Sequence, residues 1–260
     1  MDELKALIFD VDGTLADTER DGHRVAFNQA FATAGLDWCW DVEMYGELLK
    51  ISGGEERMRH YLEGSSGKDY KLKHVQDMIP GLHAAKNRIY SEMIEQGRIA
   101  LRPGIRRVLH EARSAGLRLA IATTTSRVNV MALLEKTLHP DAPSWFEVIA
   151  TADEIPDKKP SPAVYEYVLK MLQLDPGHCL VFEDSENGLK ASRRAGIRAI
   201  IAVNDYTRNG DYTGALLVLN HLGEPGQPFT ILGGQAAGLM PAQNGHISVD
   251  MLHKLQQFTG

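Results

Sequence analysis

Four groups of polar residues could form one chemical site. Each comes after an apolar run, which predicts a buried strand, so each group would lie where a strand ends. The groups are Asp10 with Asp12, the hydroxyl run 123–126, Lys159, and the acidic pair at 183–184. Since strand residues two apart face the same side, Asp10 and Asp12 can share one small volume. Two acids placed there can divide the roles of nucleophile and proton carrier, or they can hold a metal ion.

Each group also has a simpler interpretation when it is taken alone. The first acids could form an acidic turn, the hydroxyl run could cap the helix that follows it, and the lysine could be a solvated loop residue. The pair at 183–184 suits a helix N-terminus, where the helix dipole favours acids. These interpretations do not explain why all four groups arrive at the carboxyl ends of predicted parallel strands, where open sheets bind their ligands.

The combination suits phosphoryl transfer. Acids from two strand ends can hold Mg²⁺ through oxygen ligands, and the ion would reduce the repulsion between a carboxylate nucleophile and a phosphate dianion. Asp10 would then attack phosphorus, while Asp12 would protonate the leaving alkoxide and later activate water. Thr123 and Thr124 would bind phosphate oxygens, and Lys159 would offset the charge on the transferring group.

The elements that must position these residues alternate between strand and helix after residue 116. We predict strands at 117–122, 147–150, 179–182 and 198–203, and helices at 102–115, 127–137, 162–172 and 186–195. This alternation is typical of right-handed βαβ crossovers over a parallel sheet. Between Glu19 and Gly97 apolar residues recur at helical spacing and no strand is evident. The sequence therefore predicts an α/β fold, a doubly wound parallel sheet with an inserted helical cap domain.

The predicted domain boundaries follow from these patterns. The α/β catalytic core takes residues 1–16 and 98–222, the helical cap 17–97, and an irregular C-terminal tail 223–260. The insertion is far too long for a loop, so we expect a lid with hinges where the chain enters and leaves it. Glycine and proline predict turns inside the cap and irregular structure in the tail. The predicted cap turns are at 52–54, 64–67 and 80–81, and a final edge strand is predicted at 216–219.

Composition narrows the possible partners. The formal charge of −6 and the lack of a Lys/Arg cluster disfavour nucleic acid. No apolar run approaches the ~20 residues that a membrane helix needs, and the N-terminus lacks a signal-peptide pattern. Cys39 and Cys179 lie far apart, so we predict two small core residues rather than a disulfide. We expect a cytoplasmic monomer that acts on a small molecule.

Taken together, the four groups resemble the motifs of the haloacid dehalogenase (HAD) superfamily of aspartate-nucleophile phosphotransferases. Residues 10–14, Asp-Val-Asp-Gly-Thr, resemble its first motif, Thr123 its second, Lys159 its third and Glu183-Asp184 its fourth. The resemblance implies a Rossmann-like core and a Mg²⁺ cofactor. It also implies the metal ligands, namely Asp10, Asp12 through its carbonyl, Asp184, and Glu183 directly or through water. The second aspartate speaks against dehalogenase chemistry.

The insertion is similar to the helical cap of the branch that contains β-phosphoglucomutase and small sugar-phosphate phosphatases. Further residues of the cap and of the core resemble those of the CbbY group. Enzymes of this group dephosphorylate xylulose 1,5-bisphosphate, which inhibits the Calvin-cycle enzyme Rubisco. This resemblance implies a set of substrate-binding residues: Glu19, His23, Tyr45, Gly53, Gly54, Arg57, Thr124 and Arg127. A β-phosphoglucomutase-like mutase would use the same residues, and a sensor that binds sugar phosphates without turnover is a third possibility.

One residue departs from the CbbY pattern. Glu55 stands where that group has a lysine after the paired glycines, to hold the phosphate that is not cleaved. An acid facing a phosphate dianion would repel it by about 1 kcal/mol when both are well solvated. We therefore predict that Arg57 and Arg127 hold the distal phosphate, because an arginine fork suits phosphate oxygens.

Overall fold

The strands of the protein join in one sheet. In the computed structural model, which describes residues 3–51, 53–64, 69–239 and 245–259, the sheet has seven strands. They are β1 (Ala6–Phe9), β2 (Arg118–Ala122), β3 (Val148–Ala150), β4 (Cys179–Glu183), β5 (Arg198–Ala202), β6 (Leu217–Leu219) and β7 (Ile231–Gly233). Their order is β3-β2-β1-β4-β5-β6-β7, and every pair is parallel except β6 with β7. The predicted doubly wound parallel sheet is confirmed.

The register of the central strands determines which residues meet at the carboxyl edge. Phe9 at the end of β1 pairs with Ile121 on one side and with Phe182 on the other. All four residues of β1 and all five of β4 are buried, as expected where helices cover both faces of a parallel sheet. The residues that follow β1, β2 and β4 therefore emerge side by side.

The helices are divided between the two compact units of the chain, which are Thr18–Ile99, and Met1–Asp17 with Ala100–Gly260. The first unit holds α1 (Arg24–Thr33), α2 (Val42–Leu48), α3 (Gly54–Gly64) and α4 (Asp69–Glu95), after a π-helix at Thr18–His23. The second holds α5 (Ile105–Ser114), α6 (Arg127–Leu133), α7 (Ala163–Leu172), α8 (Glu186–Arg194) and α9 (Val249–Gln256). It also has a π-helix at Leu134–Leu138 and short 3₁₀ helices at Ala142–Trp145, Pro176–His178 and Ala237–Leu239.

The unit Thr18–Ile99 is helical, as predicted, but one expected turn within it is wrong. Helix α4 continues through Pro80, where the sequence predicts a turn at 80–81. A proline inside a helix removes one hydrogen bond and costs ~3 kcal/mol. Burial of Ile79 and Leu82 on either side of the proline offsets that cost, since both pack into the unit. Of the other predicted turns, residues 52 and 65–67 lie outside the described residues.

Over residues 223–239 and 245–259 the chain is more ordered than the sequence predicts, so the interpretation of these residues as an irregular tail is wrong. Strand β7 lies outside β6, which is therefore not the edge of the sheet. Helix α9 buries Leu252 and Leu255, and Ile247 before it is also fully buried. The glycines and prolines of this segment predicted irregular structure, but short elements form there. Packing, rather than local propensity, stabilises such elements.

The two cysteines are in different environments, and neither is in a disulfide. Cys179 is buried at the start of β4, as predicted, whereas Cys39 is exposed, so the prediction of a core position for Cys39 is wrong. None of the helices in the described ranges is long and apolar enough to cross a membrane.

Candidate active site

Asp10 lies at the centre of the carboxyl edge of the sheet. It follows β1 directly, is 6% exposed, and its backbone N–H donates to the Phe182 carbonyl at 3.0 Å. Burial raises the pKa of Asp10 to about 7, and the neighbouring Glu183 and Asp12 add to the rise while Lys159 opposes it. A carboxylate in this position is therefore poorly solvated and gains from any further positive charge nearby.

Lys159 connects the acids of the site. Its ammonium donates to Asp10 Oδ1 at 2.6 Å, to Glu183 Oε1, and to the Ala122 carbonyl at 2.9 Å. Burial by itself would lower the pKa of Lys159, but Asp10 and Glu183 outweigh that effect and raise the pKa well above its usual value. Lys159 therefore remains a cation beside the Asp10 carboxylate.

Both oxygens of the Glu183 carboxylate accept hydrogen bonds from the protein itself. Oε1 accepts from Lys159 and from the Tyr165 hydroxyl at 2.8 Å. Oε2 accepts from the backbone N–H of Asp184 at 3.1 Å and from the Ser185 hydroxyl at 3.2 Å. A carboxylate with this many donors is held in one orientation, so Glu183 fixes the position of Lys159.

Asp184 brings a third carboxylate to the same place. It is 5% exposed, and burial, with Glu183 and Asp10 adding to the effect, raises its pKa well above the usual range. Its Oδ2 accepts from Asn204 Nδ2 at 2.7 Å. Gly13 has a φ of +84°, and a Cβ there would lie 2.4 Å from the same oxygen, so the loop after β1 approaches Asp184 too closely for any side chain.

The three buried acids are arranged as a cation site. One oxygen from each of Asp10, Glu183 and Asp184 lies within 4.8 Å of the other two. Carboxylate oxygens are the ligands that Mg²⁺ prefers, and crowded acids with raised pKa values are relieved by a divalent ion. The donor set and its burial therefore fit Mg²⁺.

The loop after β2 supplies hydroxyl groups. Thr123 is buried, and its Oγ1 accepts from the backbone N–H of Thr125 at 3.2 Å. The Thr125 hydroxyl in turn donates to Asp12 Oδ2, which holds the second aspartate of the predicted pair. Thr124, between them, is exposed at the end of the strand. The loop can thus contact a ligand and orient Asp12 at the same time.

Arg127 has protein partners in this structure. Its guanidinium donates to Glu154 Oε1 and to the Ile149 carbonyl, both at 3.2 Å, and its side chain is 47% exposed. Its backbone N–H donates to Asp153 Oδ2 at 2.8 Å. A contact between Arg127 and a distal phosphate stays a prediction.

Within the unit Thr18–Ile99, three of the predicted substrate residues lie together. The Tyr45 hydroxyl donates to Glu19 Oε2 at 2.6 Å, and Arg57 donates to the same hydroxyl at 3.3 Å. The Arg57 guanidinium also lies 5.6 Å from the centre of the Tyr45 ring. His23 packs separately against Tyr90, with ring centres 3.8 Å apart.

Glu55, the departure from the CbbY pattern, forms an ion pair with Arg59 and lies near His83 within its own unit. Its carboxylate lies 2.8 Å from an Arg59 nitrogen and 3.7 Å from His83 Nδ1. The paired glycines before it need their small size, since Gly53 has a φ of +95° and a Cβ on Gly54 would lie 2.6 Å from His83 Nε2. Arg59 therefore offsets the negative charge that the sequence places at this position.

Some residues of the site escaped the sequence analysis. Tyr165 binds Glu183, and Asn204 binds Asp184. Thr125 belongs to the predicted hydroxyl run, but its bond to Asp12 was not predicted. Arg102 is 7% exposed and donates to the carbonyl of Gly13 and to three further carbonyls at 2.6–2.8 Å. Asn204 alone carried a usable signal, because it follows the predicted strand 198–203 at the same sheet edge.

Comparison with known proteins agrees with this geometry. Residues 4–196 match the family of haloacid dehalogenase-like hydrolases. The chain is 48% identical to Protein CbbY, plasmid, of Cupriavidus necator over 225 residues, 86% of this chain and 88% of that one. It is 30% identical over 202 residues to the phosphorylated carbohydrates phosphatase of Thermotoga maritima, 77% of this chain and 85% of that one. A solved structure of a CbbY mutant from Rhodobacter sphaeroides in complex with xylulose 1,5-bisphosphate has 43% identity and a TM-score of 0.69, covering 90% of this chain and 98% of that one.

Proposed function

The chain belongs to the haloacid dehalogenase-like hydrolase family and is a phosphatase of the CbbY type, and we propose that it is a Mg²⁺-dependent phosphatase of small phosphosugars. The preferred substrate that we propose is xylulose 1,5-bisphosphate. The observation that carries the proposal is the buried Asp10 carboxylate, bonded to Lys159 beside two further acids. The CbbY mutant that binds xylulose 1,5-bisphosphate supports the choice of substrate.

Asp10 and Asp184 are the carboxylates that we assign to the metal ion. Asp12 would add its carbonyl oxygen, while Glu183, whose oxygens already accept bonds from protein donors, would act through water or through Lys159. Mg²⁺ bound there supplies positive charge against the repulsion between Asp10 and a phosphate dianion.

The protein's own residues then account for each proton and bond. An Asp10 oxygen attacks phosphorus, and the bond from phosphorus to the sugar oxygen breaks as Asp12 gives that oxygen a proton. Asp12 next takes a proton from a water molecule, which attacks phosphorus of the aspartyl phosphate. The bond from phosphorus to the Asp10 oxygen breaks, which releases inorganic phosphate and returns Asp10 to its carboxylate form. Thr125 orients Asp12 for both transfers, and Lys159 offsets the negative charge on Asp10 and on the transferring group.

For the rest of the substrate we propose contacts with the helical cap. Glu19 would accept hydrogen bonds from sugar hydroxyls, and Arg57 would bind the phosphate that is not cleaved, with Arg127 as its second cation. Arg127 would have to exchange Glu154 for that phosphate. Arg59 offsets part of the negative charge of Glu55, although the same guanidinium also lies 3.9 Å from Glu56, so the acid at this position does not rule out a bisphosphate.

The test is phosphate release from a panel of sugar mono- and bisphosphates, with Mg²⁺ and with excess chelator. We expect turnover only with Mg²⁺, and the highest kcat/KM with xylulose 1,5-bisphosphate. Isomerised sugar phosphate with little phosphate release would instead identify a β-phosphoglucomutase-like mutase. Binding without any turnover would identify a sensor.

We propose that the enzyme works as a cytoplasmic monomer in an organism that uses the Calvin cycle.

A further inference from the structure

Asn204 is a residue whose side-chain orientation the surrounding backbone determines. Its Oδ1 accepts from the backbone N–H groups of Tyr206 at 2.9 Å and Thr207 at 3.2 Å. The backbone N–H of Asn204 donates to the Thr207 hydroxyl at 3.0 Å. Because the amide oxygen is used in this turn, the amide nitrogen has to point the other way.

The amide nitrogen of Asn204 points at the acidic cluster. Nδ2 donates to Asp184 Oδ2 at 2.7 Å. It also lies against the loop after β1, where a Cβ on Gly13 would be 2.6 Å from it. Just before Asn204, the carbonyls of Ala202 and Val203 accept from the buried Arg102 at 2.6 and 2.7 Å. The turn that presents the amide is thus fixed on both sides.

A neutral donor is well suited to this position. Asp184 is surrounded by two other acids, Asp10 and Glu183, so its ionised form needs hydrogen-bond donors. A lysine or arginine in the place of Asn204 would compete with a bound cation through its own charge, whereas an amide stabilises one carboxylate oxygen without adding charge. It holds Oδ2 at 2.7 Å, while the other oxygen, Oδ1, accepts a longer hydrogen bond from the Thr14 hydroxyl at 3.5 Å.

We propose that Asn204 is a positioning residue that holds the Asp184 carboxylate in its cation-binding orientation. The inference rests on the proposed function, because it assumes that Asp184 is a ligand of Mg²⁺. Partners that orient metal ligands are commonly worth about 10- to 100-fold in metal affinity. Asn204 should contribute within that range, although it does not contact the ion.

The test uses Asn204→Ser in the full-length protein. Serine is neutral and can still accept the backbone N–H groups of the turn, but it is too short to reach Asp184. We expect Mg²⁺ affinity, measured by calorimetric titration without substrate, to fall about 10- to 100-fold. With p-nitrophenyl phosphate, the Mg²⁺ concentration for half-maximal rate should rise by a similar factor, while kcat at saturating Mg²⁺ changes little.

Asp205→Asn is the matched control, since Asp205 is the exposed neighbour on the same loop and pairs with Arg208 at 2.9 Å. Its Mg²⁺ affinity should equal that of the wild type. Asn204→Thr is measured alongside, and thermal midpoints in chelator confirm that the variants are folded. A folded Asn204→Ser or Asn204→Thr protein that binds Mg²⁺ as tightly as the wild type overturns the inference, even where its thermal midpoint is lower. If the wild type itself does not bind Mg²⁺, the proposed function fails and the inference fails with it.

Discussion

The candidate site places three carboxylates around a single ammonium group in a region largely closed to water. Asp10, Glu183 and Asp184 are each 6% exposed or less, and the Lys159 side chain is 7% exposed. One lysine cannot balance three ionised acids, which is why burial and mutual repulsion raise the pKa values of Asp10 and Asp184. Without a cation, ionisation of these buried carboxyl groups therefore carries an electrostatic free-energy cost, which a bound divalent ion would reduce.

This cost predicts a pH-dependent effect of Mg²⁺ on stability. The pKa of Asp10 is about 7 in the folded protein against 3.8 for the ordinary group. Between these values the folded state binds more protons than the unfolded state, so without metal its stability falls as pH rises through about 7. Mg²⁺ binds the ionised carboxylate, so the Mg²⁺-induced increase in thermal midpoint should be larger at pH 8 than at pH 6.

Scanning calorimetry with and without Mg²⁺ at the two pH values measures this difference. Asp10→Asn is the control, because its amide does not titrate and its response to Mg²⁺ should depend less on pH. An equal increase in thermal midpoint at both pH values in the wild type would contradict the assignment of Asp10 to the cation site.

At the residue scale, the sequence located the charged members of the site and missed its orienting members. Asp10 and the acidic pair stand out because charge directly after an apolar run is unusual, and Lys159 lies in the loop that follows β3 at the same edge. The structure brings these residues together at the carboxyl edge of the sheet, where the sequence places them. The contributions of Thr125 and Asn204 depend on which way a hydroxyl or an amide points, and hydrogen bonds across the sheet edge determine that direction. No local pattern in the sequence records such contacts.

At the scale of elements, predictions succeeded where a pattern was long and failed where tertiary packing decides. The strand predicted at 117–122 is found as Arg118–Ala122, since a buried parallel strand is apolar at nearly every position. Helix α4 continues past Pro80, against the local rule for proline. Helix α9 has only eight residues, and its apolar positions are spaced among polar ones in a segment dominated by glycine and proline.

Packing of α9 predicts a large effect of one leucine. Leu252 is 0% exposed, so Leu252→Ala leaves a cavity and should lower the free energy of unfolding by about 2–5 kcal/mol. Leu232 on β7 is 53% exposed and belongs to the same C-terminal segment, so Leu232→Ala should change it by no more than about 0.5 kcal/mol. Urea unfolding monitored by circular dichroism measures both. Equal effects of the two substitutions would contradict the packing of α9 and support the irregular tail that the sequence predicts.

At the scale of the whole molecule, the chain forms two compact units, which hold different candidate residues. The unit formed by Met1–Asp17 and Ala100–Gly260 carries every acid of the candidate site, and the unit Thr18–Ile99 carries Glu19, Tyr45 and Arg57. The family match at residues 4–196 covers the whole of the unit Thr18–Ile99 and part of the other unit, whose residues 197–260 lie beyond it. Under the proposed function, phosphoryl-transfer residues and substrate-binding residues lie in different parts of the sequence. A change such as Glu55 would then alter the preferred sugar without altering the phosphoryl-transfer residues.

The central claim is that Asp10 becomes phosphorylated during turnover. The direct measurement is a single turnover with substrate labelled at the phosphate that is cleaved, stopped with acid at successive times and followed by peptide mapping. We expect label on the peptide that contains Asp10, and this label should rise and then fall before the release of free phosphate is complete. We expect no label in the Asp10→Asn protein. Full phosphate release without any labelled protein, or undiminished turnover by Asp10→Asn, would contradict it.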